Sequence, residues 1–283
     1  TENVTLSGTV SVADLTTIQA KSGNTLVNTP TSSGSYTATG NMSQYAVSGA
    51  TITEGDVATL LTLRGYTQCN VNITDTSVSA VDIVALENLV SPNVSLSNVN
   101  TITSTVAAIA DVTTIYGQSD VTNKDDKAIS ITGGSITVSQ ANTIDGFTSG
   151  VVTATLSTTA AATLATLSGT GNAYTITVGD TTAAAANLNS IDAATTVAVT
   201  ASAVTTITGS ASAVDTALSS SGINGLGEEF VTLSGTTSVA NANTVSGKTT
   251  GTVTATISEG DAATLVTLNE TTNAYTITVT DGS

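Results

Sequence analysis

Hydrophobic and polar positions take turns along GVVTATLSTTAAATLATLSGTGNAYTITVGD, from Gly150 to Asp180. Val152, Ala154 and Leu156 fall on one side of the alternation, Thr153, Thr155 and Ser157 on the other. A period of two predicts a strand with one covered face. In AAATLATL the period changes: Leu164 and Leu167 stand three apart, as one face of a short helix requires. SGTGN predicts the helix exit, and AYTITV reads as the next strand.

The helical spacing recurs at Leu15/Ile18, Leu60/Leu63, Ile83/Leu86, Val112/Ile115, Ala141/Ile144, Leu188/Ile191, Ala242/Val245 and Leu265/Leu268. Ile144, Leu167 and Ile191 follow one another at 23 and 24 residues. A longer period overlies this one. NAYTITV occurs at Asn172 and again at Asn273, and 273 − 172 = 101. The same offset carries Leu164 and Leu167 onto Leu265 and Leu268, and Ala141 and Ile144 onto Ala242 and Val245. Similarity at a fixed offset is the signature of tandem modules.

One strand plus one short helix or helical turn per roughly 22 residues predicts a solenoid of stacked parallel strands, in the size range of leucine-rich-type repeats. A pure β-helix, with the AATL segments as loops or strands, is the rival, because Ala favours helix and Thr opposes it. The chain then divides into a first super-repeat with one extra coil (1–128), a second (129–229) and a partial third (230–283) within one continuous solenoid. Because AYTITVTDGS stops partway through a copy, an excerpt of a longer array is expected.

Composition narrows the function. The five basic residues, Lys21, Arg64, Lys124, Lys127 and Lys248, face 21 acidic ones, for a formal charge of −16. So few and scattered cations argue against nucleic acid as a partner and against anionic lipid. The acidic surface keeps an apolar-rich array soluble. No run approaches the ~18 uninterrupted apolar residues that a membrane-spanning helix needs. Cys69 is the single cysteine, with no internal disulfide partner, and reads as a small core residue. With no His in the chain, the common triads and His-based acid–base chemistry are absent. No enzyme and no cofactor is expected.

Two constellations are candidate sites. EGD occurs in TEGDVATL and SEGDAATL, placing Glu54 and Asp56, and Glu259 and Asp261, at equivalent positions. Such carboxylates could ligate calcium. The pattern Ser/Thr-x-x-Asp is equally a helix start, with the Thr53 or Ser258 hydroxyl as cap. The copy at STTA, Ser157 to Ala160, lacks both acids, which favours capping. The second constellation is the Thr-x-Thr set: Thr153 and Thr155, Thr175 and Thr177, Thr254 and Thr256, Thr276 and Thr278. Stacked strands would turn these into a flat grid of methyls and hydroxyls, similar to ice-binding β-solenoids. Threonine is also simply a good uncharged strand former. The clusters DDK (Asp125 to Lys127) and GLGEE (Gly225 to Glu229) read as solvated boundary loops.

VTATISEGDAATLVTL, NAYTITVTD, TTVAVTASAVTTITGSASAVDTALSSSGINGLGEE and VTLSGTTSVANANTVSG resemble the Thr/Ala/Val-rich tandem repeats of giant cell-surface or secreted proteins of marine cyanobacteria, of the type associated with swimming. The resemblance spans nearly the whole chain, most clearly from Ile129 onward, and transfers no catalytic residue. It implies export and a structural or adhesive role at the cell surface. Phage or virus fibre shafts and self-assembling filaments share the composition. The expected partners are neighbouring repeats of a longer chain, or a second copy stacked end to end. NAYTITV reads as one rung, with Tyr174 or Tyr275 at its rim.

Overall fold

The computed structural model describes residues 50–54, 57–61, 69–89, 93–269 and 272–280. The expectations placed on Leu15/Ile18, Leu63, Arg64 and Asp56 lie outside them. By internal packing the described residues form two units, one running to Gly134 with Ile144–Val152, the other Ser135–Thr143 with Thr153 onward.

Strands and helices alternate. The first stretch runs β1 (Ala50–Glu54), α1 (Val57–Leu60), β2 (Cys69–Ile73), β3 (Ser77–Ser79), α2 (Ala80–Glu87) and β4 (Val94–Ser95). It continues with β5 (Thr101–Thr105), α3 (Ile109–Gly117), β6 (Val121–Thr122), β7 (Ala128–Ile136), α4 (Val138–Asp145) and β8 (Val152–Leu156). Then come α5 (Ala161–Leu164), β9 (Ala173–Thr175), β10 (Thr182–Ala184), α6 (Ala185–Ala194), β11 (Val199–Thr200), β12 (Thr206–Gly209) and α7 (Ala211–Ser219). The last stretch is β13 (Ile223–Asn224), β14 (Phe230–Thr237), α8 (Val239–Ser246), β15 (Val253–Ile257), α9 (Ala262–Leu265) and β16 (Ala274–Thr276).

The pairing within each unit is parallel. In the first unit β1, β2, β4 and β6 form one ladder and β3, β5 and β7 another. In the second, β10, β12, β14, β15 and β16 form a ladder, with β8 beside β9 and β11 beside β13. The fold class is α/β with parallel sheets, which require both faces or a crossover to be covered by helix.

The alternation explains the strands. Val152, Ala154 and Leu156 are buried and Thr153 and Thr155 exposed, and β15 repeats the pattern with Val253, Ala255 and Ile257 inside. The three-residue spacing explains the helices. Ile83 and Leu86, Val112 and Ile115, and Leu188 and Ile191 are all buried on helix faces against the sheets. Each of those side chains contributes ~1.5–3 kcal/mol by leaving water. Two helices are shorter than expected: α5 ends at Leu164 and α9 at Leu265, leaving Leu167 and Leu268 half-buried in the turns that follow. One helix was not anticipated. In α7 the apolar face is Val214 and Ala217, and the Ser210 hydroxyl caps it by accepting from Ala213 N–H at 3.3 Å.

Tyr174 corrects the rim expectation. It is fully buried, with Ile176 and Val178 beside it in the core of the second unit.

Candidate functional site

The threonine set comes first. All eight residues, Thr153, Thr155, Thr175, Thr177, Thr254, Thr256, Thr276 and Thr278, are exposed. Their register is staggered. Thr155 lies opposite Thr175 and Thr256 opposite Thr276, but Thr153 faces Ala173 and Thr254 faces Ala274. One threonine of each pair therefore lines up with its neighbour and the other meets an alanine, so a two-file grid does not form across these strands. A different row does form, through Thr208, Thr232 and Thr254, ended by Ala184 and Ala274. Beside it Thr182 and Thr206 lead to Phe230, a residue 59% exposed. Thr-x-Thr counting could not reveal this row, because its members are set by pairing register rather than by spacing in the chain.

The carboxylates sit at helix starts, where unpaired N–H groups and the positive helix end favour negative charge. Asp261 caps α9 itself, its Oδ1 accepting from Thr264 N–H at 2.8 Å. Ser258, expected as the capping hydroxyl, instead donates to Glu259 Oε2 at 2.7 Å and to the Thr237 carbonyl at 3.2 Å. Glu259 reaches back to α8, where both of its oxygens accept from Val239 N–H, at 3.3 and 3.2 Å. The hydrogen bond from Ser258 holds Glu259 below the usual carboxylate range, and those from Thr264 do the same for Asp261. The equivalent pair begins with Glu54, the last residue of β1.

Two further acids, not singled out in the sequence, work in the same way. Asp75 Oδ2 accepts from Val57 N–H at 2.7 Å, and Asp180 Oδ2 from Ala161 N–H at 2.6 Å. Each caps a helix that starts 18 or 19 residues before it. Among the described residues, no three of His, Cys, Asp and Glu gather in a way that could hold a metal ion.

The two boundary clusters are less solvated than their composition suggests. The Lys127 side chain is only 8% exposed and pairs with Asp126 Oδ1 at 2.9 Å, while Asp126 itself is 73% exposed. That ammonium keeps the Asp126 carboxyl below its ordinary range. Glu229 is also buried, its Oε2 accepting from Gly227 N–H at 2.8 Å. Next to Lys127, the Thr148 hydroxyl donates to the Lys127 carbonyl at 2.6 Å and accepts from Gly150 N–H at 2.9 Å. Glycine is needed there, since a Cβ on residue 150 would stand 2.5 Å from that carbonyl. Thr249 and Gly251 make the same arrangement over Glu229.

Ser97, Asn123, Asp125, Asp126, Lys127 and Ser149 line an open depression of about 450 Å³ in the first unit. Nearby, Tyr116 stacks on Phe147 with centroids 5.1 Å apart and donates to the Lys124 carbonyl at 2.7 Å. Burial pushes the Tyr116 phenol up to about 12, with Asp125 and Asp126 adding to the rise and a hydrogen bond with Thr148 opposing it. Lys124 Nζ donates to the Ile115 carbonyl at 3.0 Å and to the Gln118 carbonyl, satisfying the C-terminal end of α3.

Asparagines complete the set. Asn142 Nδ2 donates to the Thr166 carbonyl at 2.9 Å while its Oδ1 accepts from Ser168 N–H at 2.8 Å. Asn243 does the same to Thr267 and Asn269, at 2.8 and 3.0 Å. Each holds the exit of a helix 24 to 26 residues further on. The signal was present in the shared ANT of QANTID and NANTVS.

No protein-family model, curated protein or solved structure matches this chain. What the groups do must therefore be read from where they point. Asp75, Asp180 and Glu259, the clamp asparagines and the turn threonines direct their polar atoms at backbone in a neighbouring segment of the same unit, while Asp261 caps its own helix. That is the chemistry of holding segments together, with both donors and acceptors of helix ends satisfied. No helix among the described residues is long and apolar enough to cross a membrane.

Proposed function

We propose that the chain is a non-enzymatic structural segment, a stretch of an extracellular or cell-surface solenoid shaft in which each coil of strands and helix stacks on the next. One observation carries the reading. Five polar side chains, Asp75, Asp180, Glu259, Asn142 and Asn243, are engaged by the backbone of a segment 18 to 26 residues away. Parallel pairing at similar intervals, Thr182 to Thr206 and Thr206 to Phe230, supports the same picture. In a solenoid each unit contacts only its neighbours, and stability comes from those interfaces. Export and surface display are supported by the sequence likeness to the giant proteins of marine cyanobacteria and by the acidic, nearly cysteine-free composition.

Negative-stain electron microscopy of the purified chain tests the proposal. About 13 coils at a ~4.8 Å strand spacing give a stiff rod on the order of 60 Å long. Rods, single or joined, are the expected result. Compact globules overturn it. An ice-binding shaft would instead declare itself by thermal hysteresis that bulky replacements at Thr208, Thr232 and Thr254 abolish.

A further inference from the structure

Asparagine is among the chemically labile side chains, and this chain has a single Asn-Gly pair, Asn224–Gly225. Asn224 is exposed at the end of β13, the outer strand of the two-stranded β11–β13 ladder. The backbone requires glycine after it. Residue 225 takes φ of 88°, and a Cβ there would stand 2.9 Å from the Ser202 backbone. The Asn224 carbonyl accepts from Ala201 N–H at 2.8 Å. The Gly225 N–H, on the opposite side of that trans peptide, has no hydrogen-bond partner, and neither has the Asn224 side-chain amide. Other asparagines are held. Asn142, Asn189 and Asn243 donate from Nδ2 to the carbonyls of Thr166, Ala213 and Thr267, and the exposed Asn123 donates to Ser95 Oγ. The residues that follow these four are Thr143, Ser190, Thr244 and Lys124, each with a Cβ beside the amide nitrogen.

We propose that Asn224–Gly225 is a self-modification site, where the chain converts a neutral amide into a carboxylate with water as the only co-reactant. The Gly225 nitrogen gives up its proton to hydroxide and attacks Asn224 Cγ. A new C–N bond forms, the bond from Cγ to Nδ2 breaks, and the departing nitrogen takes a proton from water and leaves as ammonia. The product is a cyclic imide. Water then opens it at either carbonyl. Opening at the former backbone carbonyl leaves isoaspartate, with the main chain running through Cγ, and opening at Cγ leaves aspartate. The balance is one water in and one ammonia out. Glycine leaves the attacking nitrogen uncrowded. The peptide must turn to reach Cγ, which releases the bond from Ala201, and an outer strand allows that turn by local opening. Isoaspartate lengthens the main chain by one carbon and displaces the carbonyl that Ala201 uses. The pairing of Thr200 with Asn224 is then lost, and a negative charge stays behind as a record of the chain's age. None of this depends on the shaft reading.

Incubation of the full chain in heavy-oxygen water at mildly alkaline pH, followed by digestion and mass spectrometry with electron-transfer fragmentation, tests the proposal. Residue 224 is expected to convert at least about tenfold faster than Asn123, gaining heavy oxygen and giving more isoaspartate than aspartate, because only its amide nitrogen is uncrowded. The rate should climb with pH, since the attacking nitrogen must lose its proton. In the converted chain the Ala201 amide should exchange its hydrogen at least about tenfold faster. Asn224→Gln, which has to close a larger ring, should stay unconverted over the same period with unchanged circular dichroism. Conversion at Asn224 no faster than at Asn123, in a chain that keeps its circular dichroism, overturns the proposal. So does conversion that begins only once urea has unfolded the chain, because the bond from Ala201 then guards the amide.

Discussion

Val152–Val178 and Val253–Val279 are near-copies in sequence, yet one is sealed and the other open. Both begin with the same alternating strand and both continue into a four-residue helix. They part at the helix start and at the last rung. Helix α5 follows Ala160, which makes no side-chain cap, and is held instead by Asp180 from beyond the NAYTITV stretch. Helix α9 follows Asp261 and caps itself. Tyr174 is buried, and Tyr275 is half-buried. The difference shows that burial here belongs to an interface between segments, and that a motif carries only the capacity for it.

The strongest way to break this comparison is to truncate the two tyrosines. Tyr174→Ala is expected to cost about 3–5 kcal/mol, the usual range for a large aromatic removed from a packed core, and Tyr275→Ala less than about 1 kcal/mol. Urea denaturation followed by circular dichroism measures both; equal losses would show the second copy to be as enclosed as the first. Next come the clamps. Asn142→Ala and Asn243→Ala each remove a donor and an acceptor from a helix exit, and each should cost about 1–3 kcal/mol. Similar losses are expected, because the two clamps have the same geometry although the rungs beyond them differ.

The smallest effect is electrostatic and separates the copies by pH. Asp261 and Glu259 have folded-state pKa values lowered from the ordinary 3.8 and 4.5. Their contribution is therefore fully present above those values and lost as the pH falls through the lowered ones. The Thr264 amide resonance should titrate in that acid window while that of Thr163, which donates to the Ala160 carbonyl, stays fixed. Ala160→Asp should give the first copy the same titration and add about 0.5–1 kcal/mol of stability.

Much of the fold was legible because two periodicities carry it. Val152, Ala154 and Leu156 declare a strand, and Leu188 with Ile191 a helix, from spacing alone. Helix α7 escaped notice because its buried face, Val214 and Ala217, is too small to stand out among alanines and serines. The buried Tyr174 could not be read from NAYTITV, since an identical NAYTITV is left open elsewhere. The clamps and distant caps were hidden for a different reason. Asn142, Asp75 and Asp180 meet backbone atoms, and every residue type offers the same carbonyl and N–H, so the partner leaves no mark in the sequence. Lys127 was expected in solvent, as charged side chains usually are. Its ammonium reaches Asp126 from a buried stem.

Strand β14 faces β15 with a stretch in which Leu233, Ser234 and Gly235 stand opposite Ala255 alone, Gly235 taking φ of 70°. In genetic terms this is a place where codons can be gained at little penalty. The surplus bulges out of one strand, and pairing resumes at Thr236 and Thr237 with every side chain on its proper face. Loss of the Ala173 codon would have the opposite outcome, turning Tyr174, Ile176 and Val178 outward together. Descendants of such a gene should therefore drift in length at bulges and helix exits, while the rungs keep a fixed count.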